Sequence, residues 1–99
     1  MAESPLKVFE KLDPELLKLV EGNADMALSD GALPRKFKLL IAMALDAAHG
    51  SVNGVTSLTR QAMAAGATKQ EIAEALRVAQ YICGAGSIYC AGRALKDEF

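Results

Sequence analysis

Apolar residues recur every three or four positions along most of the chain, which predicts amphipathic α-helices and no β-strand. Two pairs near the start, Ser4-Pro5 and Asp13-Pro14, place a capping side chain before a proline at the first helical position. These pairs predict two short helices, over residues 5–12 and 14–28.

The middle of the chain contains the most apolar segment, from Leu39 to Leu45. It follows Leu33-Pro34 and precedes Gly50, which suits a helix C-terminus. Because this third helix is apolar on every side, we expect it to be wholly enclosed. A fourth helix is predicted from about Ser51 to Ala65.

The sharpest local signal is the capping box Thr68-Lys69-Gln70-Glu71, which predicts the start of a fifth helix. Four apolar residues at helical spacing are expected to face inward: Ile72, Leu76, Ala79 and Ile82. The glycine-rich stretch 84–87 leaves two alternatives for residues 88–95, a sixth helix or a kinked continuation of the fifth. The prediction is one all-α domain, residues 1–99, with five to six helices.

Composition and charge exclude several classes of protein. The net charge is −1 and no stripe of basic residues occurs, so we expect no nucleic-acid partner. The polar start does not resemble a signal peptide, and no apolar run approaches the roughly 20 residues that cross a bilayer. We therefore expect a cytoplasmic protein with no membrane partner.

The helices are rich in small side chains, with eighteen alanines, thirteen leucines and 5% aromatic residues. A domain of this length buries only roughly 60–70% of its unfolded surface. The composition therefore favours a homo-oligomer in which neighbouring subunits cover some apolar faces.

The two cysteines, Cys83 and Cys90, are expected to be small buried hydrophobic residues. On one helix they would lie about 10 Å apart along the axis, farther than the roughly 4.4–6.8 Å between Cα atoms that a disulfide needs. We predict no disulfide between them.

Residues 33–95 resemble the carboxymuconolactone decarboxylase family, which includes the alkyl hydroperoxide reductase D-type peroxidases. Four segments carry the resemblance by their order and spacing: Leu33-Pro34-Arg35-Lys36, Leu58-Thr59-Arg60-Gln61-Ala62, Gly66-Ala67-Thr68-Lys69-Gln70-Glu71-Ile72 and Glu74-Ala75-Leu76-Arg77-Val78-Ala79. The resemblance implies an all-helical, alkyl hydroperoxide reductase D-like subunit that assembles into trimers or hexamers.

The same resemblance implies that the redox residues of the peroxidases are missing. Those proteins carry a glutamate on the apolar helix and then Cys-x-x-Cys-x-x-x-His on the next, and the matching positions here are Leu39, Ser51, Gly54 and Leu58. A thiolate and a resolving thiol are both needed for that chemistry. Cysteine-dependent peroxidase activity is therefore not expected.

Asp46, His49 and Ser51 are the candidate catalytic residues. Asp46 lies one helical turn before His49, so its carboxylate could orient the imidazole beside Ser51. The alternative is that Asp46 and His49 simply mark a helix end, where histidine suits the helix dipole. A single histidine without a second ligand beside it predicts no metal, and nothing indicates another cofactor.

Three further residues are candidates for ligand binding. Arg60 and Arg77 could hold an organic acid, the substrate type that the family name implies, and Tyr81 could donate a hydrogen bond into a pocket. The alternative is that the arginines are solvated ion-pair partners and that the tyrosine is a packing residue.

Three functional hypotheses follow. The chain is either a non-catalytic oligomeric binding or scaffold protein, or an enzyme with acid/base chemistry on a lactone or organic acid. The third hypothesis is peroxiredoxin-type alkyl hydroperoxidase activity, an antioxidant function, as in the thiol-containing members of the family.

Overall fold

The computed structural model describes residues 4–99, in which every regular element is helical and no strand occurs. A 3-10 helix, Pro5–Val8, precedes six α-helices: α1 Phe9–Leu12, α2 Pro14–Leu28, α3 Arg35–His49, α4 Val52–Ala64, α5 Lys69–Cys83 and α6 Gly86–Leu95. The predicted all-α class is confirmed.

The helices begin and end at the positions that the capping signals in the sequence predicted. Asp13 accepts a hydrogen bond from the Leu16 amide at 3.1 Å. At the start of α5, Thr68 Oγ1 accepts from the Glu71 amide at 3.1 Å and Glu71 Oε1 accepts from the Thr68 amide at 2.9 Å. Both halves of the predicted capping box are therefore present.

The two alternatives for the last segment are resolved in favour of a separate sixth helix. Gly84 has a φ of 86°, a conformation that favours glycine and ends α5. Ser87 Oγ then donates to the Gly84 carbonyl at 2.8 Å, and both Ser87 and Ala91 are buried. The small side chains of α6 allow it to pack closely against the rest of the chain.

Helix α3 is the centre of the structure, because α4, α5 and α6 all pack against it. Leu39 and Met43 of α3 are fully buried, and so is Val55 of α4. Cys90 of α6 also belongs to this core, as expected, whereas Cys83 is exposed, so the prediction that it is buried is wrong. We call α3–α6 the helical body.

Residues 4–28, which we call the arm, contribute no buried residue. Leu28 is partly buried against the core of the body. The radius of gyration is 14.3 Å, larger than the roughly 13 Å of a compact chain of this length. The arm therefore extends from the body instead of packing into it.

Two further predictions about burial are wrong for the single chain. Helix α3 is not enclosed, since Ile41 is 50% and Leu45 is 55% exposed. Ile82 of α5, which was expected to face inward, is 72% exposed. Helical spacing identifies an apolar face but does not say whether the same chain covers it.

Candidate functional site

The candidate catalytic residues lie at the junction between α3 and α4. Gly50 is left-handed with a φ of 82°, its amide donates to the Ala47 carbonyl at 3.3 Å, and the Ser51 amide donates to the Asp46 carbonyl at 2.9 Å. This pair of hydrogen bonds is a Schellman motif. It reverses the chain within two residues and keeps Asp46, His49 and Ser51 in one tight turn.

The Asp46 carboxylate lies against the backbone of Gly54, in the first turn of α4. A Cβ atom at Gly54 would come within 2.9 Å of Asp46 Cγ and closer still to Oδ2. The carboxylate therefore occupies space that a side chain at position 54 would need. It also lies near the positive end of the α4 dipole, which stabilises a negative charge.

Asp46, His49 and Ser51 lie in the same turn, but no hydrogen bond joins their side chains. Asp46 is half-buried, whereas His49 and Ser51 are exposed. No hydrogen bond or ion pair joins Asp46 to His49, and the Asp46 carboxylate has no hydrogen-bond donor within residues 4–99. Their catalytic role stays a prediction.

Two of the positions that the resemblance matches to the peroxidases' redox residues, Ser51 and Gly54, lie at this junction, while Leu39 and Leu58 lie within α3 and α4. Leu39 is fully buried in the core, where a glutamate would need a partner for its charge. A cysteine in place of Gly54 would overlap the Asp46 carboxylate. The two cysteines of the chain are both free, with Cys83 exposed at the end of α5 and Cys90 buried on α6.

The proposed ligand-binding residues lie apart from this junction. Arg60 is on α4, where its Nε forms an ion pair with the Glu98 carboxylate. Arg77 and Tyr81 are exposed on α5, one helical turn apart, and Tyr81 is 84% exposed. Arg60 is thus already partnered, and Arg77 and Tyr81 face solvent in the single chain.

A broad apolar groove between α3 and α5 was not predicted from the sequence. Its volume is about 520 Å³, and its lining consists of small and large apolar residues and one cysteine: Phe37, Leu40, Ile41, Ala44, Leu45, Ala48, Ala75, Val78, Ala79, Ile82 and Cys83. The groove extends to Ala48, which directly precedes His49. The only sequence signal for it was the apolar character of α3 on every side.

Charged side chains join the two helices beside the groove. Lys36 of α3 forms an ion pair with Glu71 of α5 at 3.0 Å, so the first turns of these helices lie side by side. The Thr68 backbone amide lowers the pKa of the Glu71 carboxyl from its ordinary value, and Lys36 lowers it further.

Neither a metal centre nor a membrane span is found in the described chain. Within residues 4–99 no three histidine, cysteine, aspartate or glutamate side chains gather as metal ligands would. None of the helices over this range is long and apolar enough to cross a bilayer.

The order of the six helices and the tight α3–α4 junction define the class of protein, an all-helical fold without strands over residues 4–99. The profile of the carboxymuconolactone decarboxylase family matches residues 14–97, and the chain belongs to this family. A similar solved structure is the apo form of lpg0406, a carboxymuconolactone decarboxylase family protein from Legionella pneumophila. The two sequences are 36% identical, the match covers 92% of this chain and 81% of that one, and the TM-score is 0.86. No curated protein sequence matches the chain.

Proposed function

We propose that this family member is a homo-oligomeric, non-catalytic binding or scaffold protein that has no thiol redox chemistry. The observation that carries the proposal is the combination of an uncovered apolar groove with a junction that has lost the redox residues. We also propose that it works in the cytoplasm, where free cysteines such as Cys83 stay reduced.

The amount of exposed apolar surface supports a homo-oligomer, for which the family resemblance implies a trimer or hexamer. Exposed large apolar side chains occur along both the arm and the body, among them Leu12, Met26, Val78 and Ile82, each at least 65% exposed. Apolar patches of this extent on a soluble protein mark interfaces. Light scattering at micromolar concentration should give three or six times the 10.5 kDa chain mass. A stable folded monomer would contradict the proposed homo-oligomer.

The residues at the junction support the absence of thiol chemistry, since Ser51 and Gly54 stand where the resemblance places the peroxidases' two cysteines. We expect a Cys83→Ser, Cys90→Ser variant to match the wild type in a hydroperoxide assay. If the wild type consumes peroxide and this variant does not, the protein is an alkyl hydroperoxidase of a kind that differs from the family's thiol motif.

Acid/base chemistry on a lactone or organic acid is the second candidate function. It is favoured by the half-buried Asp46 carboxylate, which has no donor within residues 4–99, lies against Gly54 and precedes His49 by one turn of α3. An acidic ligand at the start of α4 would meet the charge of Asp46, which weighs against this candidate.

Carboxymuconolactone itself is the probe that separates the two functions. The binding function predicts that the compound is not converted, while the acid/base function predicts turnover that Asp46→Asn and His49→Ala each abolish. If the compound binds without being converted and Arg77 and Tyr81 contact it, its affinity should fall in Arg77→Ala and Tyr81→Phe variants. Turnover that survives both Asp46→Asn and His49→Ala would exclude this pair as the catalytic residues.

A further inference from the structure

The groove between α3 and α5 presents large apolar side chains to solvent along its whole length. Phe37 and Ile41 on α3 are 42% and 50% exposed, and Val78 and Ile82 on α5 are 65% and 72% exposed. None of the eleven lining residues carries a charge, and none belongs to the arm. The groove is therefore a concave apolar surface that its own chain leaves uncovered.

Helix α2 of the arm presents a convex apolar surface that is equally uncovered. Successive residues of an α-helix are about 100° apart, which puts Leu16, Leu19 and Val20 on one side of α2. These three side chains are 37–61% exposed. Lys18 and Asp25 lie on the opposite side, so the helix has one apolar and one charged face.

The connection between arm and body holds the arm away from the groove of its own chain. Lys38 Nζ donates to the Ser29 carbonyl at 2.7 Å, and the Arg35 amide donates to Asp30 Oδ1 at 2.7 Å. These bonds attach the connecting residues to the first turn of α3. Because the connection is fixed there and no arm residue lines the groove, the apolar face of α2 stays open.

From this complementarity we infer that the groove receives α2 from the arm of a second copy of the chain. A convex apolar helix fills a groove between two helices, as in other helix-in-groove contacts. Two copies that met through their grooves would place two concave surfaces together and leave both arms exposed. Two copies that met through their arms would leave both grooves exposed. Exchange of arms between copies covers both surfaces.

The exchanged contact is smaller than a standard interface and would form part of a larger one. Each copy would contribute the eleven groove residues and the apolar face of a fifteen-residue helix. A standard interface uses roughly 20–30 residues from each partner. The inference rests on the proposed homo-oligomer and adds to it which surfaces meet.

Cys83 lines the groove and provides the test, because it can form a disulfide with a cysteine introduced on a partner's arm. One chain carries Cys83→Ser together with Leu16→Cys, Leu19→Cys or Val20→Cys. The second chain is the wild type with a tag that changes its size. The two are mixed, allowed to exchange subunits and oxidised mildly.

We expect a disulfide-linked species that contains one chain of each size from at least one of the three arm positions. The matched controls are Lys18→Cys and Asp25→Cys, on the charged face of the same helix, and they should not give this species. Ile41→Glu in the tagged chain should abolish the cross-link, because it puts a charge into the groove.

The remaining outcomes contradict the inference in distinguishable ways. A Cys83–Cys83 species without any arm cross-link would show that grooves meet each other. In a third variant, Leu16→Cys with Cys83 retained, a disulfide within a single chain would show that the arm folds back. An oligomer with no cross-link overturns the arm exchange alone, whereas a monomer overturns the proposed oligomer as well.

Discussion

The arm and the helical body have similar apolar sequences, yet only the body has a core. In the body, Leu39, Met43 and Val55 are fully buried by neighbouring helices. In the arm, Leu12 and Leu19 are 71% and 61% exposed. Full burial of such a side chain contributes about 1.5–3 kcal/mol, and the arm does not obtain this from its own chain.

This difference shows that amphipathic helices of one chain can have different partners. The body buries one face of α3 internally and leaves the other face, lined by Ile41 and Leu45, as a groove. The arm has helical caps as good as those of the body, with Asp13 accepting from the Leu16 amide. Local signals therefore make both regions helical, while packing within the chain stabilises only the body.

The largest expected difference in stability is between two leucine-to-alanine substitutions, one in the body and one in the arm. Leu39→Ala should lower the free energy of unfolding by about 2–5 kcal/mol, because it leaves a cavity in the core. Leu19→Ala in the arm should change the stability of the isolated chain by less than about 0.5 kcal/mol.

Urea denaturation at two protein concentrations tests this pair. The cost of Leu39→Ala should not depend on concentration, whereas any cost of Leu19→Ala should, because it acts through association. Equal, concentration-independent losses for the two variants would mean that the arm packs on its own body.

The next effect concerns a polar atom in the core of the body. Thr59 is fully buried, and its Oγ1 atom has no hydrogen-bond partner within residues 4–99. Thr59→Val should raise the free energy of unfolding by about 1–2 kcal/mol, because a buried hydroxyl without a partner is unfavourable.

Thr56→Val is the matched control, since Thr56 Oγ1 donates to the Ala94 carbonyl at 2.8 Å and joins α4 to α6. This variant should lose about 1 kcal/mol. Thermal or urea unfolding measures the change in the free energy of unfolding for both variants. A loss of stability in Thr59→Val would show that its hydroxyl is hydrogen-bonded after all.

A smaller effect is expected where Asp46 meets Gly54. Alanine is favoured over glycine in a helix by about 1 kcal/mol, so Gly54→Ala should stabilise α4 in an Asp46→Ala background. In the presence of Asp46 the added Cβ overlaps the carboxylate, and the gain should be lost.

The double-mutant cycle measures this coupling, with an expected value of about 1 kcal/mol. Additive effects of the two substitutions would contradict it and would mean that the Asp46 side chain turns away at no cost. Gly22→Ala on α2 is the control, because a Cβ there has open space.

The smallest effect is the pH dependence contributed by Glu71. Its pKa in the folded protein is lowered from 4.5, mainly by the Thr68 amide and then by Lys36. A lowered pKa means that its contribution to stability is complete above pH 4.5 and is lost as the pH falls through the folded pKa.

Glu71→Gln keeps the capping box but removes the ionisation, so it should lose less stability than the wild type between pH 7 and pH 3. Lys36→Gln should reduce the pH dependence only in part. Urea midpoints at the two pH values provide the measurement, and identical losses in wild type and Glu71→Gln would contradict the assignment.

The helices themselves could be predicted because their signals are local. Asp13-Pro14, Gly50 and the Thr68–Glu71 capping box each act through hydrogen bonds or backbone angles within a few residues. The family could also be predicted, because the order of its sequence segments is a property of the chain. The missing redox residues were visible in the same way.

The candidate site could be predicted only as a position along the chain. Asp46, His49 and Ser51 do lie in one turn, since the helix end at Gly50 is a local feature. What the Asp46 carboxylate meets beyond its own helix depends on how α4 packs against α3. This packing puts Gly54 against the Asp46 carboxylate.

The sequence by itself determined where the chain becomes helical and which faces are apolar, because capping and helical spacing depend on neighbours within one or two turns. Only the tertiary structure decided which apolar faces are buried. Leu39 and Ile41 look alike in the sequence, yet one is fully buried and the other is half exposed in the groove. The physical reason is that burial depends on contacts between helices that are distant in the chain, and the apolar pattern of a helix does not identify its partner.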